Sequence, residues 1–312
     1  MSIHKPKASV IICTWHEDRL SDLDECIKSI LTQRFDDFEV IIVVDNNEKL
    51  YHILADRYRD RRIRIVLNDS ERGQSTSMNC GVLNARGEIV CFTDDDAVVD
   101  GNWLLELMHA YDNGTYAVGG RIEPLWMDNK PSYLPEEFYW LIGATGNYLP
   151  YKVCKVRNLW SGNVSYRRDV FSKIGYFSSD LGKRCGSSLF QGEDAEFGLR
   201  LLKATGKCVK YIPTAIVYHK IYGNRVRLRS LLERAYWQGF SKAYIRRRYD
   251  DADVLSTERE FLKLVFKSSL RRLRRVLLGS DMITNLNQLV FMITAILAVL
   301  LGFIHGLVKT KP

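Results

Sequence analysis

Residues 89–96 read Ile89-Val90-Cys91-Phe92-Thr93-Asp94-Asp95-Asp96. A run of strand-forming residues leads straight into three carboxylates, which places the acids at the turn where a buried strand ends. A parallel sheet presents the carboxyl ends of its strands to ligands. Carboxylates crowded there repel one another unless a divalent cation or a polar ligand shares their charge. Taken alone, the triplet reads equally well as a solvated acidic turn, with Ala97 opening a helix.

The chain before the triplet alternates strand and helix signals. Residues 9–14 (Ser-Val-Ile-Ile-Cys-Thr) and 39–44 (Glu-Val-Ile-Ile-Val-Val) are near-continuous β-branched runs, as in strands covered on both faces. Between them Leu23, Cys26, Ile27, Ile30 and Leu31 recur at helical spacing, and Leu50, Ile53, Leu54 and Tyr58 do so before a third strand over 63–67. A further helix over 75–85 leads into the strand that carries the triplet. This alternation specifies an open, mostly parallel, Rossmann-like α/β sheet with right-handed crossovers. The first turn, Thr14-Trp15-His16-Glu17-Asp18-Arg19, holds no glycine, which argues against a dinucleotide site, and no Gly-Lys-Ser/Thr phosphate loop occurs. The second strand ends in Asp45, placed where it could accept hydrogen bonds from a base or a ribose, or simply form a turn.

These stretches, with Arg72-Gly73, Met78-Asn79-Cys80-Gly81 and Ala85-Arg86-Gly87-Glu88, resemble in order the nucleotide-sugar half of family 2 glycosyltransferases, which have the GT-A fold. The second half continues the likeness. Residues 160–165 (Trp-Ser-Gly-Asn-Val-Ser) resemble the family's acceptor-side turn, and Gly192-Glu193-Asp194 resembles its Glu-Asp catalytic motif. Independently of the likeness, a carboxylate in the first turn of a helix is expected to be held ionised by the helix dipole and free N–H groups, as suits a general base; capping alone would explain it too. His219 ends the apolar run 215–218 and reads either as a satisfied core histidine or as a metal or diphosphate contact.

The resemblance implies an inverting, metal-dependent transfer. Thr14, Glu17 and Asp45 would contact a uridine, and Asn79, Asp94 and Asp95 would line the donor site. Asp96, Asp94 and His219 would hold manganese or magnesium, while Asp194, with Glu193 beside it, would take the proton of the acceptor hydroxyl. Stretches outside the general signature, at 119–122, 135–140 and 234–242, are similar to archaeal enzymes that extend dolichyl-phosphate-linked sugars for protein N-glycosylation. That likeness implies a lipid-linked sugar acceptor and a hexuronic acid as the transferred sugar. Processive polysaccharide synthases of the same clan carry a Gln-x-x-Arg-Trp motif that the segment around Trp237-Gln238 lacks. The rivals are another glycan or polysaccharide as acceptor, and a non-catalytic, membrane-anchored nucleotide-sugar binder, which would not need the Gly-Glu-Asp motif.

The net charge of +8 over 312 residues is concentrated at 57–64, 225–229, 246–248 and 271–275, and the last cluster precedes an apolar tail. With no nucleic-acid-binding module recognisable, a membrane surface accounts for this asymmetry better than a nucleic acid does. Residues 286–308 are long enough, at roughly 30 Å, to cross a hydrocarbon core. Arg271, Arg272, Arg274 and Arg275 precede this stretch, against Lys309 and Lys311 after it, which puts the catalytic domain on the cytoplasmic side of the cell membrane. Residues 2–7 are polar and do not read as a signal peptide. Seven cysteines without a Cys-x-x-Cys pair read as reduced thiols. The aromatic and basic mixture over 228–249 fits either an interfacial helix or one packed on the sheet. The expected organisation is therefore a GT-A domain over 1–225, amphipathic and basic membrane-proximal helices over 226–284, and a single transmembrane helix over 285–308. The sequence leaves the oligomeric state open.

Overall fold

The computed structural model describes residues 5–181, 192–249 and 256–309. Cys185 lies outside the described residues, and the other six cysteines are free thiols. Among the described residues the chain forms two compact units, one of residues 5–123, 151–181 and 193–220, the other of 124–150, 192, 221–249 and 256–309. The division thus draws 124–150 into the second unit, whereas the sequence reading kept that segment in the catalytic domain.

In the first unit, β1 (Ala8–Thr14), β2 (Phe38–Asp45), β3 (Ile63–Asn68) and β4 (Ile89–Asp94) form a parallel sheet in the order β3-β2-β1-β4. They are linked by α1 (Leu20–Leu31), α2 (Glu48–Arg57) and α3 (Gln74–Asn84). The β-branched runs are buried because helices cover the sheet: Val10, Ile12, Val40, Ile42 and Val44 meet Leu23, Ile27, Ile30, Leu50 and Leu54 in one core. Each such aliphatic side chain contributes about 1.5–3 kcal/mol on burial. The register pairs Cys13 with Asp94 and Asp45 with Asn68, so the polar strand ends gather on one edge.

Beyond the triplet the parallel pattern stops. Ala97 opens a strand, not a helix: β5 (Ala97–Val99) follows the turn at once and pairs antiparallel with β9 (Val209–Ile221). The chain continues through α4 (Trp103–His109), β6 (Ala117–Trp126), β7 (Cys154–Val156), β8 (Val164–Arg167), α5 (Asp169–Ile174) and α6 (Glu193–Thr205). Strand β8 lies antiparallel on β4, and the sheet runs on through β6 and β9 to β5, with β7 on β9. The sheet is therefore mixed rather than mostly parallel. Buried Asn163 stitches this half together: its Nδ2 donates to the carbonyls of Arg121 and Ala215, both at 2.9 Å, and its Oδ1 accepts from Trp103 Nε1 at 2.8 Å.

The second unit is helical, with α7 (Leu228–Tyr249), α8 (Ser256–Leu277) and α9 (Met282–Lys309) beside a 3-10 turn, Glu136–Ile142. Helix α9 is long and apolar enough to cross a membrane, with a mean hydropathy of 2.4 over an 18-residue stretch. Helix α7 packs directly on it. A methyl group added at Gly239 would fall 1.9 Å from the Val299 carbonyl oxygen, and one at Gly302 would fall 1.8 Å from that of Tyr236. Ala235, Gly239 and Ala243 on α7, and Gly302 and Gly306 on α9, thus form small-residue seams that let the two backbones touch. The partner of the 228–249 helix is α9. Nearer its start, α9 packs Phe291 against Phe138, with ring centroids 5.6 Å apart, and Phe138 also meets Phe261 of α8 at 5.4 Å.

Candidate active site

Asp94 closes β4, Asp96 lies one residue before β5, and His219 stands opposite Ala97 across the β5–β9 ladder. These three side chains bring one possible ligand atom each within 4.8 Å of one another. His219 Nε2 lies 3.3 Å from Asp96 Oδ1, and neither buried ring nitrogen makes a hydrogen bond. A buried imidazole without hydrogen bonds beside two carboxylates is costly by itself and fits a divalent cation, whose charge would satisfy all three groups. Lys220, next in sequence, is buried and paired with Asp22 at 2.8 Å and Glu25 at 2.7 Å.

Asp95 does a different job from its neighbours. Its carboxylate accepts from Arg19 Nε at 3.1 and 3.2 Å and from Arg19 Nη2, while the same guanidinium reaches Asp96 Oδ2 at 2.8 Å. Burial pushes Asp95 up to about 6 against the pull of Arg19, with Asp96 adding to the rise. The sequence reading placed Asp95 in the donor pocket; in the structure its carboxylate is paired with Arg19. Arg19 itself was not singled out. The signal was present in the first turn, because β1 and β4 are neighbours and a cation after β1 lies near carboxylates that end β4.

Asn79 likewise has an internal role. Its Nδ2 donates to the Phe177 carbonyl at 2.8 Å and its Oδ1 accepts from the Phe177 N–H at 2.9 Å, so α3 is pinned to the segment after α5 through one of the amide's two N–H groups. Asp45 is oriented by Asn68 Nδ2 at 2.9 Å and by the Gly73 N–H at 3.1 Å. Glu17 lies beside Asn47 Nδ2 at 3.4 Å and Lys49 Nζ at 3.5 Å, and Thr14 is buried where β1 ends. Backbone hydrogen bonding, then Asn47 and Lys49, hold Glu17 below its ordinary value.

Asp194 stands in the first turn of α6, after Gly192, whose φ of 130° suits glycine. Its Oδ2 accepts from the Ser161 N–H at 3.0 Å, and its Oδ1 has no hydrogen-bond partner. The sequence reading expected the helix terminus to favour the ionised carboxyl; in the structure burial works against it. Burial pushes its pKa well above the ordinary value, and the charges of Glu193 and Asp94 add to the rise against the Ser161 N–H. A helix dipole supplies only about 0.3–1 kcal/mol, and this first turn carries three buried acids, Glu193, Asp194 and Glu196. Glu196 has a bidentate cation, Arg200, at 2.7 and 2.8 Å.

The turn 160–163 connects the two acidic groups. Gln74 Nε2 donates to Ser161 Oγ at 3.2 Å, and a methyl group at Gly162 would fall 2.8 Å from Asp94 Oδ2. A Cβ there would make the Asp94 carboxylate move aside. One face of the turn thus meets the possible cation ligands, while its Ser161 N–H holds a carboxyl of raised proton affinity. Such a pairing can neutralise an anionic leaving group and accept a proton close by.

A mixed sheet with carboxylates at this edge is the GT-A architecture of glycosyltransferases. The solved structure of a mannosyltransferase from Pyrobaculum calidifontis, in complex with GDP-Man and Mn2+, superposes with a TM-score of 0.60 at 16% identity, covering 95% of this chain and 88% of that one. The model for glycosyl transferase family 2 matches residues 9–175, and the chain belongs to that family. It is 32% identical to the glucosyl-dolichyl phosphate glucuronosyltransferase of Haloferax volcanii over 305 residues, 96% of each chain. It is also 35% identical over 118 residues to a GalNAc(5)-diNAcBac-PP-undecaprenol beta-1,3-glucosyltransferase of Campylobacter jejuni, covering 37% of this chain and 38% of that one.

Proposed function

We propose that this glycosyltransferase moves a hexuronic acid, with inversion, from a UDP-linked donor to a sugar on a dolichyl or other polyprenyl phosphate, at the cytoplasmic face of the membrane. The observation that carries the reading is the Ser161-Gly162 turn, with Asp94 against one of its residues and Asp194 hydrogen-bonded to the other. A divalent cation on Asp94, Asp96 and His219 would supply the charge that neutralises a nucleotide diphosphate as it departs. The protein's own groups do the rest. The Ser161 N–H fixes Asp194 through Oδ2 and leaves Oδ1 to accept the proton of the acceptor hydroxyl. Arg19 holds Asp96 by Oδ2, so that Oδ1 faces His219. Asp45, fixed by Asn68 and Gly73, is preset to receive donors from a nucleoside, with Glu17 and Thr14 nearby. The Haloferax relative supports the lipid-linked acceptor and the uronic acid, and the cations of 271–275 suit the anionic cytoplasmic leaflet.

The experiment is a donor screen with glucosyl-dolichyl phosphate as acceptor, run with manganese and with chelator. Transfer of glucuronic acid from UDP-glucuronic acid, lost on chelation, is the expected result. Transfer of a different sugar would overturn the donor assignment, and binding of donors without any turnover would make the chain a nucleotide-sugar binder.

A further inference from the structure

Helix α8 exposes Leu262, Phe266, Leu270, Leu273 and Leu277 at intervals of three and four residues, which is one side of a helix; Phe266 is 65% and Leu277 78% exposed. Helix α9 does the same with Leu286, Val290, Ile293, Leu297, Leu301, Ile304 and Val308. Exposed Leu278 after α8 and exposed Met282 and Ile283 at the start of α9 extend the apolar surface on either side of the Gly279-Ser280-Asp281 turn. A soluble protein does not leave such a surface to water.

Charge indicates what covers it. Lys267 and Arg274 are exposed and, on the turn of α8, border its leucine side, with exposed Arg271 further round, while no charged residue stands between Asp281 and Lys309. An apolar stripe with a row of cations along one edge complements an anionic lipid surface.

The other side of α9 decides how that surface is met. A helix that crosses a bilayer alone is surrounded by lipid. Here α9 is held along its length by protein: Gln288 donates to the Ser132 carbonyl at 2.8 Å and accepts from Arg272 Nε at 2.7 Å, Gly302 and Gly306 lie on α7, and His305 Nδ1 meets the Tyr236 hydroxyl. Helix α7 carries Arg229, Glu233, Arg234, Lys242 and Arg246 among its 22 residues, and the Arg246 guanidinium stands 5.9 Å over the Phe303 ring. Were α9 to cross, these charges would be drawn into hydrocarbon with it.

We propose that α8 and α9 form a monotopic membrane-binding plate. Their exposed sides sink into the boundary between headgroups and acyl chains of an anionic leaflet, α7 stays behind α9 on the aqueous side, and the chain does not cross. This goes beyond the glycosyl-transfer reading and does not depend on it, because attachment can be read without donor or acceptor. The test uses the full chain with a C-terminal epitope tag, bound to sealed vesicles of phosphatidylcholine and phosphatidylglycerol. Protease added outside should remove the tag and the N-terminal half from the same molecules. The double variant Leu270→Glu/Leu277→Glu, with helix content unchanged by circular dichroism, should bind these vesicles at least tenfold more weakly. A tag protected in the lumen on molecules whose N-terminal half is digested would overturn the proposal. So would a folded double variant that binds as tightly as the parent, since a crossing α9 would suffice, or no vesicle binding by the parent. If the double variant misfolds, the tag accessibility of the parent chain decides.

Discussion

Asp194 is buried beside Glu193 and within the field of Asp94, so the folded protein holds a proton there more tightly than the unfolded chain does. A folded pKa above the unfolded one means that this group's contribution to stability is fully present below the unfolded value and is lost as pH rises through the folded value. Near neutral pH an ionised Asp194 therefore works against folding. The substitution Asp194→Asn should lower turnover about a hundredfold or more, yet raise the melting temperature of chelator-treated protein. Near-normal turnover in that variant would remove Asp194 from the mechanism. The same shift places the acid limb of the pH–rate profile above the ordinary aspartate value of about 3.9. For the cation, manganese titration followed by electron paramagnetic resonance separates the ligands: Asp96→Ala should abolish binding, and His219→Ala should weaken it roughly tenfold. Activity indifferent to chelator would rule out a metal role for Asp94, Asp96 and His219 alike. The triplet and Asp194 were legible because strand ends and helix starts are local signals. The Arg19–Asp95 pair was not, since it joins residues 76 apart in sequence and shows only once β1 and β4 are known to be neighbours.

At the scale of elements, the parallel half of the sheet was readable from its repeating strand and helix periods. The antiparallel half was not, because β5 and β7 have three residues each and β8 four, too few to show a period, while the longer β6 and β9 are interrupted by proline, charged residues and, in β6, two glycines. In the helical unit, the 3-10 turn is tied to α8 by buried Glu137, which meets Arg272 Nη2 at 2.9 Å and the Ser268 hydroxyl. Burial pushes Glu137 up, but Ser268, its own backbone and Arg272 outweigh that and leave it below the usual value. With the folded pKa below the unfolded one, the stabilisation is present above about 4.3 and is lost as pH falls through the folded value. Arg272→Met strands the carboxylate and should cost about 3–5 kcal/mol in urea unfolding at neutral pH, with a smaller loss in acid, where Glu137 protonates. Adding Glu137→Gln to that variant should recover most of the loss. An equal loss at both pH values would mean that Arg272 acts through packing alone.

For the whole molecule, the tail is the main divergence from a reading by composition. Hydropathy and length suggested an appendage that could be removed without touching the chemistry, since every site motif precedes residue 220. The spacing that argues otherwise is visible in hindsight: Ala235, Gly239 and Ala243 recur every four residues, as do Gly302 and Gly306. Such seams have meaning only when the partner helix is known, and the facing Gly239 and Gly302 lie 63 residues apart in sequence. The contacts make α9 part of the folded second unit, because Gly239 and Gly302 allow backbone approach that no other residue permits and Phe291 packs against Phe138. Deleting residues 281–312 should therefore do more than detach the protein from membranes. It strips the covering from the small-residue face of α7 and from Phe138, and the truncated chain should be cut by limited proteolysis within 228–277 and aggregate without detergent, where the full chain in detergent resists. Gly302→Leu in the full chain should produce the same protease sensitivity while leaving the length and hydropathy of α9 intact. A truncated protein that stays monomeric, resists protease and melts as the parent does would show that α9 contributes attachment alone, and that the α7–α9 seam carries no part of the stability assigned to it here.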